Sequence, residues 1–412
     1  MVKEGEEIIV GLDIGTTKVC AMVGLKRPSV ETLELIGVGT VPSKGIKKGG
    51  IVDMESATES VLAAIEIAEQ TADVEINNVF VNVDGSHIRG INSYGTTAIT
   101  HPRFEITEED IEKTIASAKA VSIPMERMVL HVLPHEYTVD GQSGIRNPRG
   151  MSGVKLEVGV HIVTAMISSV QNILKSLHQA DLECEDLVLT PLASAEGILS
   201  QEEKEMGVVL IDIGGGTSDT IVYTDGMVKF TDVLGSGGYQ VTNDVASALG
   251  IPLNKAEEIK KNQGCAIRSV LGIADEFEVP GVLGRPARRM ASRDLASIIE
   301  VRVEEMLMII RKKIEAAALS EKIGSGVVLT GGTSLLKNID KLATRVFNVP
   351  VQIGKLKGIT GLNPSLDSPV YATSLGLLEF GLQMRRKNKP VVNRKKRMKE
   401  FTDWIKSFFR KG

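Results

Sequence analysis

The sequence is poor in aromatic residues: the 412-residue chain contains one Trp, five Tyr and nine Phe. Apolar residues nevertheless make up 42% of it, and 41 glycines are present. A chain of this length is long enough for two to four folded units with cores of their own. Plentiful Ala, Val, Ile, Leu and Gly favour an α/β protein with buried aliphatic strands and many tight turns.

Cysteine is equally scarce, with Cys20, Cys184 and Cys265 far apart in the chain. Their odd number and wide spacing exclude a disulfide framework or a zinc pattern and favour a reducing cytosol. No stretch reaches the roughly 18 to 20 apolar residues of a membrane-spanning helix. The acidic start "MVKEGEEIIVGLDIG" leads directly into a predicted strand, so we expect no secretory signal.

Two common nucleotide-binding motifs are also missing, since no Walker A loop is present and no G-x-G-x-x-G follows a strand. Instead, "IIVGLDIGTTKVCAMVGL" (8–25) and "GVVLIDIGGGTSDTIVYTDG" (207–226) repeat one plan. Each is an apolar strand ending in Asp-Ile-Gly, then small residues, then a second apolar strand. Two such hairpins predict a duplication, with two similar α/β lobes facing each other.

The residue types in these hairpins suit a phosphate and a divalent cation. A carboxylate that follows a strand can hold Mg²⁺, usually through water, so Asp13 and Asp212 are the candidate metal-side residues. Glycines and hydroxyl residues let backbone N–H groups turn inward around phosphate. The predicted phosphate-binding residues are Gly15, Thr16, Thr17 and Lys18 in the first loop, and Gly214, Gly215, Gly216 and Thr217 in the second.

A third glycine turn, Gly331-Gly332-Thr333, lies between a predicted strand and a predicted helix in "GVVLTGGTSLLKNI" (326–339). One hairpin alone would indicate an ordinary structural turn, but two matched hairpins and this turn together point to nucleotide binding. Spaced in this way, the three motifs resemble the superfamily of ATP-binding folds that contains actin, heat-shock chaperones and sugar kinases.

That resemblance implies further site residues and a hinge. Gly237 and Gly238 resemble the turn near the ribose, and Glu257 and Lys260 resemble the helical residues of the adenosine pocket. Two helices rich in small residues, "TPLASAEGIL" (190–199) and "YATSLGLLEF" (371–380), are expected to connect the lobes and let them shear around the nucleotide.

Between the strands at 77–85 and 159–166 lies a segment that we expect to form a small α/β subdomain. It includes "TEEDIEKTIASAKAVS", a predicted helix in which Thr107 and Asp110 form a capping box. Four histidines fall in or near this segment, and their spacing matches no common metal pattern, so we expect structural roles for His101, His131, His135 and His161.

The order of motifs resembles one family, the bacterial cell-division protein FtsA, over nearly the full chain. The segments "GLDIGTTKVCAMV", "NPRGMSGVKLEVGVHIVTA", "PLASAEGIL", "DIGGGTSDTIVY" and "VVLTGGTSLLKNI" carry the resemblance, together with the basic amphipathic end. It implies an actin-like two-lobed fold of duplicated ribonuclease H-like lobes, with a displaced inserted α/β subdomain. It also implies binding of ATP and Mg²⁺, polymerisation, attachment to the inner face of the cell membrane at the division septum, tethering of FtsZ, and recruitment of later division proteins.

On this fold we predict six units. They are nucleotide lobe I at 1–84, completed by 165–195 and 365–383; the inserted interaction subdomain at 85–164; the core of lobe II at 196–228, completed by 302–364; its outer subdomain at 229–301; a flexible basic linker at 384–397; and a membrane-targeting amphipathic helix at 398–412.

Thr190 bears on catalysis, because hydrolysing relatives carry Glu immediately before the proline of the first connecting helix. Threonine cannot act as a general base at neutral pH, so we expect at most weak ATPase activity and no catalytic residue. Glu196, farther along that helix, is the alternative base, although a role at the hinge is favoured.

The resemblance places binding of the FtsZ C-terminal peptide on lobe II near "SRDLASIIEVRVEEMLMIIRKKI" (292–314). Leu295, Ile298, Ile299, Val303 and Met306 follow helical spacing and are predicted core residues. Arg293 and Arg302 are candidate anchors for an acidic peptide; the alternative is that they are solvated helix charges.

The tail reverses the charge of the body. Residues 384–412 hold twelve Lys or Arg and two acids, a net charge of +10, which leaves −14 on the rest. The predicted membrane-binding residues recur mainly at three- and four-residue intervals and are Met398, Phe401, Trp404, Ile405, Phe408 and Phe409. An apolar face with basic flanks is typical of a helix that lies on an anionic membrane surface. Docking on the protein itself and binding to nucleic acid are the alternatives, and we expect no nucleic-acid partner.

Three functions stay open at this point. The first is a cytoskeletal adaptor that binds ATP and assembles on a membrane. A sugar kinase or other ATPase of the same superfamily is the second, although a kinase needs a catalytic base and gains nothing from an amphipathic tail. The third is an actin-like pilus or shape-determining scaffold.

Overall fold

The computed structural model describes residues 6–28, 30, 32–100, 103–281, 286–361 and 364–387. Three larger sheets organise this part of the chain, and each carries helices. Among the cysteines, Cys20 and Cys265 are buried, Cys184 is half-buried, and all three are free thiols.

The first sheet contains the first Asp-Ile-Gly hairpin. Its strands, in spatial order, are β11 (Glu183–Leu189), β6 (Asn78–Val83), β1 (Glu7–Ile14), β2 (Lys18–Lys26), β3 (Leu33–Pro42) and β19 (Ile359–Thr360). Strands β1 to β3 form an antiparallel meander, and β6 runs parallel to β1. Helices α1 (Met54–Ala72) and α3 (Ile167–Gln179) pack around this sheet. Gly39 of β3 lies against α1, where a Cβ would overlap the carbonyl oxygen of Ala64.

The second sheet repeats this arrangement. Its strands, in spatial order, are β14 (Met227–Leu234), β13 (Ser218–Thr224), β12 (Val208–Ile213), β17 (Val327–Thr330) and β18 (Val351–Ile353). Strands β12 to β14 form an antiparallel meander and β17 runs parallel to β12, as β6 does to β1. All six residues of β12 are buried, as expected for a central strand. The predicted duplication is therefore visible in the topology.

The third sheet is formed by residues inserted between β6 and α3. Its strands, in spatial order, are β7 (Arg89–Ala98), β10 (Lys155–Met166), β8 (Arg127–Val139) and β9 (Gln142–Ile145). Helix α2 (Glu108–Lys119) covers one face of this sheet. The predicted capping box is confirmed, because Thr107 and Asp110 each bond the other's backbone N–H.

Beyond the second sheet lies a group of helices and one hairpin. These elements are α6 (Gly238–Leu249), α7 (Leu253–Gln263), β15 (Glu276–Val279), β16 (Arg288–Ala291), α8 (Ser292–Ala316) and α9 (Ile339–Phe347). The predicted core positions of α8 are confirmed: Leu295, Ile299, Val303 and Met306 are buried, and Ile298 packs half-buried against them. The predicted domain boundary after residue 228 falls inside β14, which pairs with β13. The predicted boundary after residue 301 falls inside α8.

Two helices cross between the first two sheets, α4 (Thr190–Ile198) and α10 (Ala372–Lys387). The short helix α5 (Gln201–Met206) follows α4. Glycines permit the crossing of α4 and α10, since a Cβ at Gly197 would lie 2.7 Å from the Ala372 carbonyl oxygen. Helix α10 ends at Lys387 and therefore continues into the predicted linker, which begins at residue 384. In this stretch Arg385 donates to the carbonyl oxygen of Ile8 at 2.8 Å and pairs with Glu185.

Candidate functional site

The first phosphate loop is a tight turn between β1 and β2. The Gly15 N–H donates to the Lys18 carbonyl oxygen at 3.0 Å, which closes the turn. Asp13, buried at the end of β1, pairs with the Lys18 ammonium and accepts a hydrogen bond from Ser374 Oγ of α10 at 3.2 Å. Burial by itself lowers the pKa of Lys18, but the nearby carboxylates of Asp13 and Asp212 offset this, and the pKa lies above its ordinary value.

The second phosphate loop has the same turn between β12 and β13. The Gly214 N–H donates to the Thr217 carbonyl oxygen at 3.0 Å. Asp212 accepts hydrogen bonds from Ser194 Oγ of α4 at 2.6 Å and from Thr373 Oγ1 of α10 at 3.3 Å. Burial raises the pKa of Asp212 to about 6, and the hydrogen bond from Ser194 works against that rise. Each strand-end carboxylate is therefore held by hydroxyl groups of the crossing helices.

The two loops lie directly against each other. A Cβ at Gly215 would overlap the side chain of Thr17, and a Cβ at Gly216 would lie 2.5 Å from Thr16 Oγ1. These glycines are needed for the close approach of the loops. The predicted phosphate-binding residues of both hairpins thus form one continuous surface.

The third glycine turn joins the same surface. Gly331 has a φ of 81°, and a Cβ on it would overlap the Asp212 carboxylate, so a side chain is excluded on both counts. Thr333 Oγ1 donates to the Gly214 carbonyl oxygen at 3.0 Å. A Cβ at Gly332 would meet only Val370, at 3.9 Å, which leaves room beside this turn. A short 3-10 turn, Gly332–Leu335, precedes the predicted helix.

The residues predicted for the ribose and adenosine lie beside the second loop. The Gly238 N–H donates to the Gly214 carbonyl oxygen at 2.9 Å, and a Cβ at Gly237 would lie 2.7 Å from that oxygen. The Lys260 ammonium bonds the Gly238 carbonyl oxygen at 3.0 Å and Glu257 at 2.7 Å. Burial lowers the pKa of Lys260 despite its carboxylate partner. The structure therefore brings together all seventeen residues predicted for the nucleotide.

Two acidic residues of this region escaped the sequence analysis. Asp84 follows β6 and accepts a hydrogen bond from Thr217 Oγ1 at 2.7 Å, and Asp219 lies opposite Asp212 in the β12–β13 ladder. Burial raises the pKa of both. A signal was available for Asp84, because it is a carboxylate at the end of an apolar run, as Asp13 and Asp212 are.

A lysine turn was also missed. Strands β4 (Ile46–Lys47) and β5 (Gly50–Ile51) are joined by Lys48 and Gly49, which have φ values of 50° and 75°. The Gly49 N–H donates to Thr16 Oγ1 at 3.0 Å, and the Lys48 backbone lies against Gly216. The glycine-rich segment "SKGIKKGG" was the available signal.

The chemistry of this surface suits a nucleotide that brings its own cation. The carboxylates of Asp13 and Asp212 are hard oxygen donors set among backbone N–H groups and hydroxyls. No group of three or more His, Cys, Asp or Glu with metal-holding geometry occurs in the described part of the chain. That combination fits Mg²⁺ held mainly by phosphate and water with one or two carboxylates, and does not fit an all-protein metal cage.

Both candidates for a catalytic base make hydrogen bonds within the protein. Thr190 is 6% exposed; its Oγ1 accepts from the Asn82 amide at 3.1 Å and donates to the Val83 carbonyl oxygen at 3.2 Å. Glu196 accepts from Lys204 and from Gln383, both at 2.8 Å. Thr190 thus joins α4 to the end of β6, and Glu196 joins α4 to α5 and α10.

The arginines predicted to bind a partner peptide are engaged within the chain. Arg293 Nε donates to the Leu271 carbonyl oxygen at 2.8 Å. Arg302 pairs with Asp244 of α6 and with Glu305 of its own helix. An acidic peptide would have to compete with these two carboxylates for Arg302.

Three of the four histidines lie within the described residues, and each has a protein partner. His131 Nε2 accepts from the Leu189 N–H at 3.0 Å, His135 Nδ1 lies 3.1 Å from the Lys229 ammonium, and His161 bonds Asn92 and Thr231. His101 lies outside the described residues, as do the six residues predicted to bind a membrane. No helix of the described residues is both long and apolar enough to cross a membrane.

Comparison with solved structures addresses the fold. The type IV pilus biogenesis complex PilM–PilN contains a chain that superposes with a TM-score of 0.63 at 16% identity, covering 91% of this chain and 98% of that one. MreB5 of Spiroplasma citri bound to ADP gives a TM-score of 0.53 at 15% identity, covering 93% and 99%. The predicted actin-like α/β fold is confirmed.

Comparison of sequences addresses the family. "Cell division protein FtsA" matches residues 209–376, and "SHS2 domain inserted in FTSA" matches residues 85–164. The cell division protein FtsA of Pseudomonas aeruginosa is 42% identical over 377 residues, covering 92% of this chain and 90% of the relative. The Escherichia coli K12 protein of that name is 39% identical over 407 residues, covering 97% and 96%. This chain therefore belongs to the FtsA family of actin-like cell-division proteins.

Proposed function

We propose that this chain binds ATP with Mg²⁺, polymerises on the inner face of the cytoplasmic membrane, tethers FtsZ filaments through the second lobe, and recruits later division proteins to the septum. One observation carries the nucleotide part: two strand-end carboxylates, Asp13 and Asp212, flank one surface of glycine turns and are both held by the crossing helices. Family membership favours this function over a sugar kinase or a pilus or shape scaffold.

The residues of the surface have separable parts in this proposal. The N–H groups and hydroxyls of the two loops hold the phosphates, and the Lys18 ammonium neutralises part of their charge. Asp13 and Asp212 would hold Mg²⁺ through its bound water, and the cation would offset part of the phosphate charge. The third glycine turn and the Glu257–Lys260 pair, joined at 2.7 Å, line the nucleoside end.

The crossing helices link this surface to the rest of the protein. Ser194 and Thr373 come from different helices and bond the same carboxylate, Asp212. A shift of that carboxylate toward Mg²⁺ would therefore change the contacts of both helices. We propose that ATP acts mainly as an assembly ligand through this hinge, with slow hydrolysis because Thr190 and Glu196 are committed to structural bonds.

The membrane part rests on the sequence alone. Each Lys or Arg near an anionic bilayer contributes roughly 1 kcal/mol, and the apolar face adds more. The amphipathic segment is short, so we propose reversible binding by single molecules. Many such segments on one filament multiply avidity by about 10² to 10⁴, and polymerisation would thus act as a membrane switch.

The test is co-sedimentation with anionic vesicles, with and without ATP and Mg²⁺. The matched variant ends after Lys387, which keeps the contacts of Arg385 with Ile8 and Glu185. We expect the full chain to sediment with vesicles more strongly when ATP is present, and the shortened chain to stay in the supernatant. Equal sedimentation of both chains would contradict the membrane role of the tail.

A further inference from the structure

Asp84 reaches from the first sheet into the second phosphate loop. It directly follows β6, and its Oδ2 accepts a hydrogen bond from Thr217 Oγ1 at 2.7 Å. The Gly85 N–H donates to the other carboxylate oxygen. Asp84 is only 7% exposed, and a Cβ on Gly49 would lie 2.8 Å from its carboxyl carbon. The residue is therefore tightly enclosed where the two lobes meet.

Asp219 of the second lobe is a second buried carboxyl group, and burial together with the charge of Asp84 raises its pKa. Asp219 is 2% exposed, and its Oδ1 has no hydrogen-bond partner among the described residues. One side chain of the first lobe is thus hydrogen-bonded to Thr217 of the second lobe and interacts electrostatically with Asp219.

Thr217 cannot serve both Asp84 and a phosphate at once. A hydroxyl group carries one donor hydrogen, and both a carboxylate and a phosphate oxygen are acceptors. In this structure that hydrogen is directed at Asp84. A phosphate oxygen in the second loop therefore either replaces Asp84 as the acceptor of the Thr217 hydroxyl or binds without a hydrogen bond from that hydroxyl.

We propose that Asp84 is a latch between the lobes that holds the Thr217 hydroxyl and competes with the nucleotide phosphate for it. The inference rests on the proposed binding of ATP at this surface. Release of the latch couples phosphate binding to a change in how the lobes contact each other. Asp84 acts here through Thr217 and is a positioning residue.

The test compares ATP affinity in the full-length protein with Mg²⁺ present, using titration calorimetry. Asp84→Ala removes the competing acceptor, and we expect ATP to bind about 5- to 10-fold more tightly. Asp84→Asn removes the charge but keeps an oxygen that accepts from Thr217, so we expect a change of less than about 2-fold. Equal tightening by both variants would mean charge repulsion, and unchanged or weaker binding in Asp84→Ala would mean a purely structural contact.

A double variant isolates the shared hydroxyl. In a Thr217→Val background there is no hydroxyl to release, so the effect of Asp84→Ala on ATP affinity should vanish. Persistence of that effect would overturn the latch. Amide hydrogen exchange of residues 213–219 without nucleotide gives a second readout, which we expect to speed up in Asp84→Ala and not in Asp84→Asn. If neither the wild type nor any variant binds ATP, the proposed function fails, and the proposed competition for the Thr217 hydroxyl fails with it. The exchange data then show only whether the Asp84–Thr217 hydrogen bond joins the lobes.

Discussion

Gly376 of α10 lies so close to α4 that a Cβ added to it would overlap the carbonyl oxygen of Ala193. The two helices that carry the hydroxyl ligands of Asp13 and Asp212 therefore touch backbone to backbone at this point. The distance between the two helices therefore determines the positions of the Ser194, Thr373 and Ser374 hydroxyl groups.

We expect Gly376→Ala to lower the free energy of unfolding by about 3 kcal/mol, because the added methyl group must push the helices apart. ATP affinity should fall with it, since the hydroxyl groups move away from the two carboxylates. Chemical denaturation and ATP titration measure the two effects. Gly50→Ala is the control: its Cβ would meet nothing nearer than the Lys47 carbonyl oxygen at 3.7 Å, and it should change stability by less than about 1 kcal/mol. Equal effects of the two substitutions would contradict the crossing as described.

Hydrolysis of ATP should not depend on Thr190. A positioned general base contributes about 10²- to 10⁴-fold to a rate, so loss of a true base is easy to detect. We expect Thr190→Val to leave the rate of phosphate release within about 2-fold of wild type while lowering stability by about 1 to 3 kcal/mol, because the Asn82 amide loses its acceptor. Thr190→Ser keeps the hydroxyl and should restore stability. A fall in rate of 100-fold in the valine variant, with folding intact, would identify Thr190 as catalytic.

Acid should weaken the contact between the inserted subdomain and the second sheet. His161 bonds Asn92 Oδ1 at 2.6 Å and Thr231 Oγ1 of β14 at 2.8 Å. Burial, and to a smaller degree His135, lowers the pKa of His161 to about 4. Between pH 6.5 and 4 the unfolded chain binds a proton that the folded protein excludes, so the stability present above pH 6.5 is lost as pH falls.

For His161 this loss amounts to about 3 kcal/mol by pH 4. Unfolding free energies measured at pH 7 and pH 5 should differ less in His161→Gln than in the wild type, because glutamine does not titrate. The comparison cancels carboxyl groups such as Asp212, whose raised pKa acts in the opposite direction. An identical pH dependence in the two proteins would show that His161 is not buried as a neutral ring.

Peptide binding tests the role of Arg302, which is now paired with Asp244 and Glu305. If an acidic FtsZ C-terminal peptide uses this arginine, Arg302→Ala should weaken binding about 10-fold, and Asp244→Asn should tighten it about 3-fold by releasing the guanidinium. Fluorescence anisotropy of a labelled peptide measures both. Arg311→Ala, on the same helix and paired with Glu315, is the control and should change little. If neither Arg302→Ala nor Asp244→Asn changes the affinity, the peptide does not bind at Arg302.

The sequence predicted those parts of the site that local pattern determines. Apolar runs ending in Asp-Ile-Gly identified both hairpins, and glycine clusters identified the turns around Gly214 and Gly331, because such turns need residues without a side chain. These features depend on a few neighbouring residues, so they can be read without knowing the rest of the chain.

The partners of those residues could not be predicted in the same way. Ser374 meets Asp13 across 361 residues, and Thr217 meets Asp84 across 133. Such pairs depend on how α10 crosses α4 and how the two sheets approach, which no local pattern encodes. The same reason explains Arg302: helical spacing placed it on the surface of α8, but only the packing of α6 brings Asp244 to it.

The most direct test of the central claim is the affinity for ATP, with and without Mg²⁺, of wild type, Lys18→Met and Lys26→Met. Lys18 lies inside the first loop beside Asp13, whereas Lys26 ends the same strand and bonds only the Arg27 carbonyl oxygen among the described residues. We predict that the wild type binds ATP with an affinity that Mg²⁺ increases. Lys18→Met should bind at least about 10-fold more weakly, and Lys26→Met should match the wild type. Equal affinity in all three folded proteins, or no binding in any, would contradict the account.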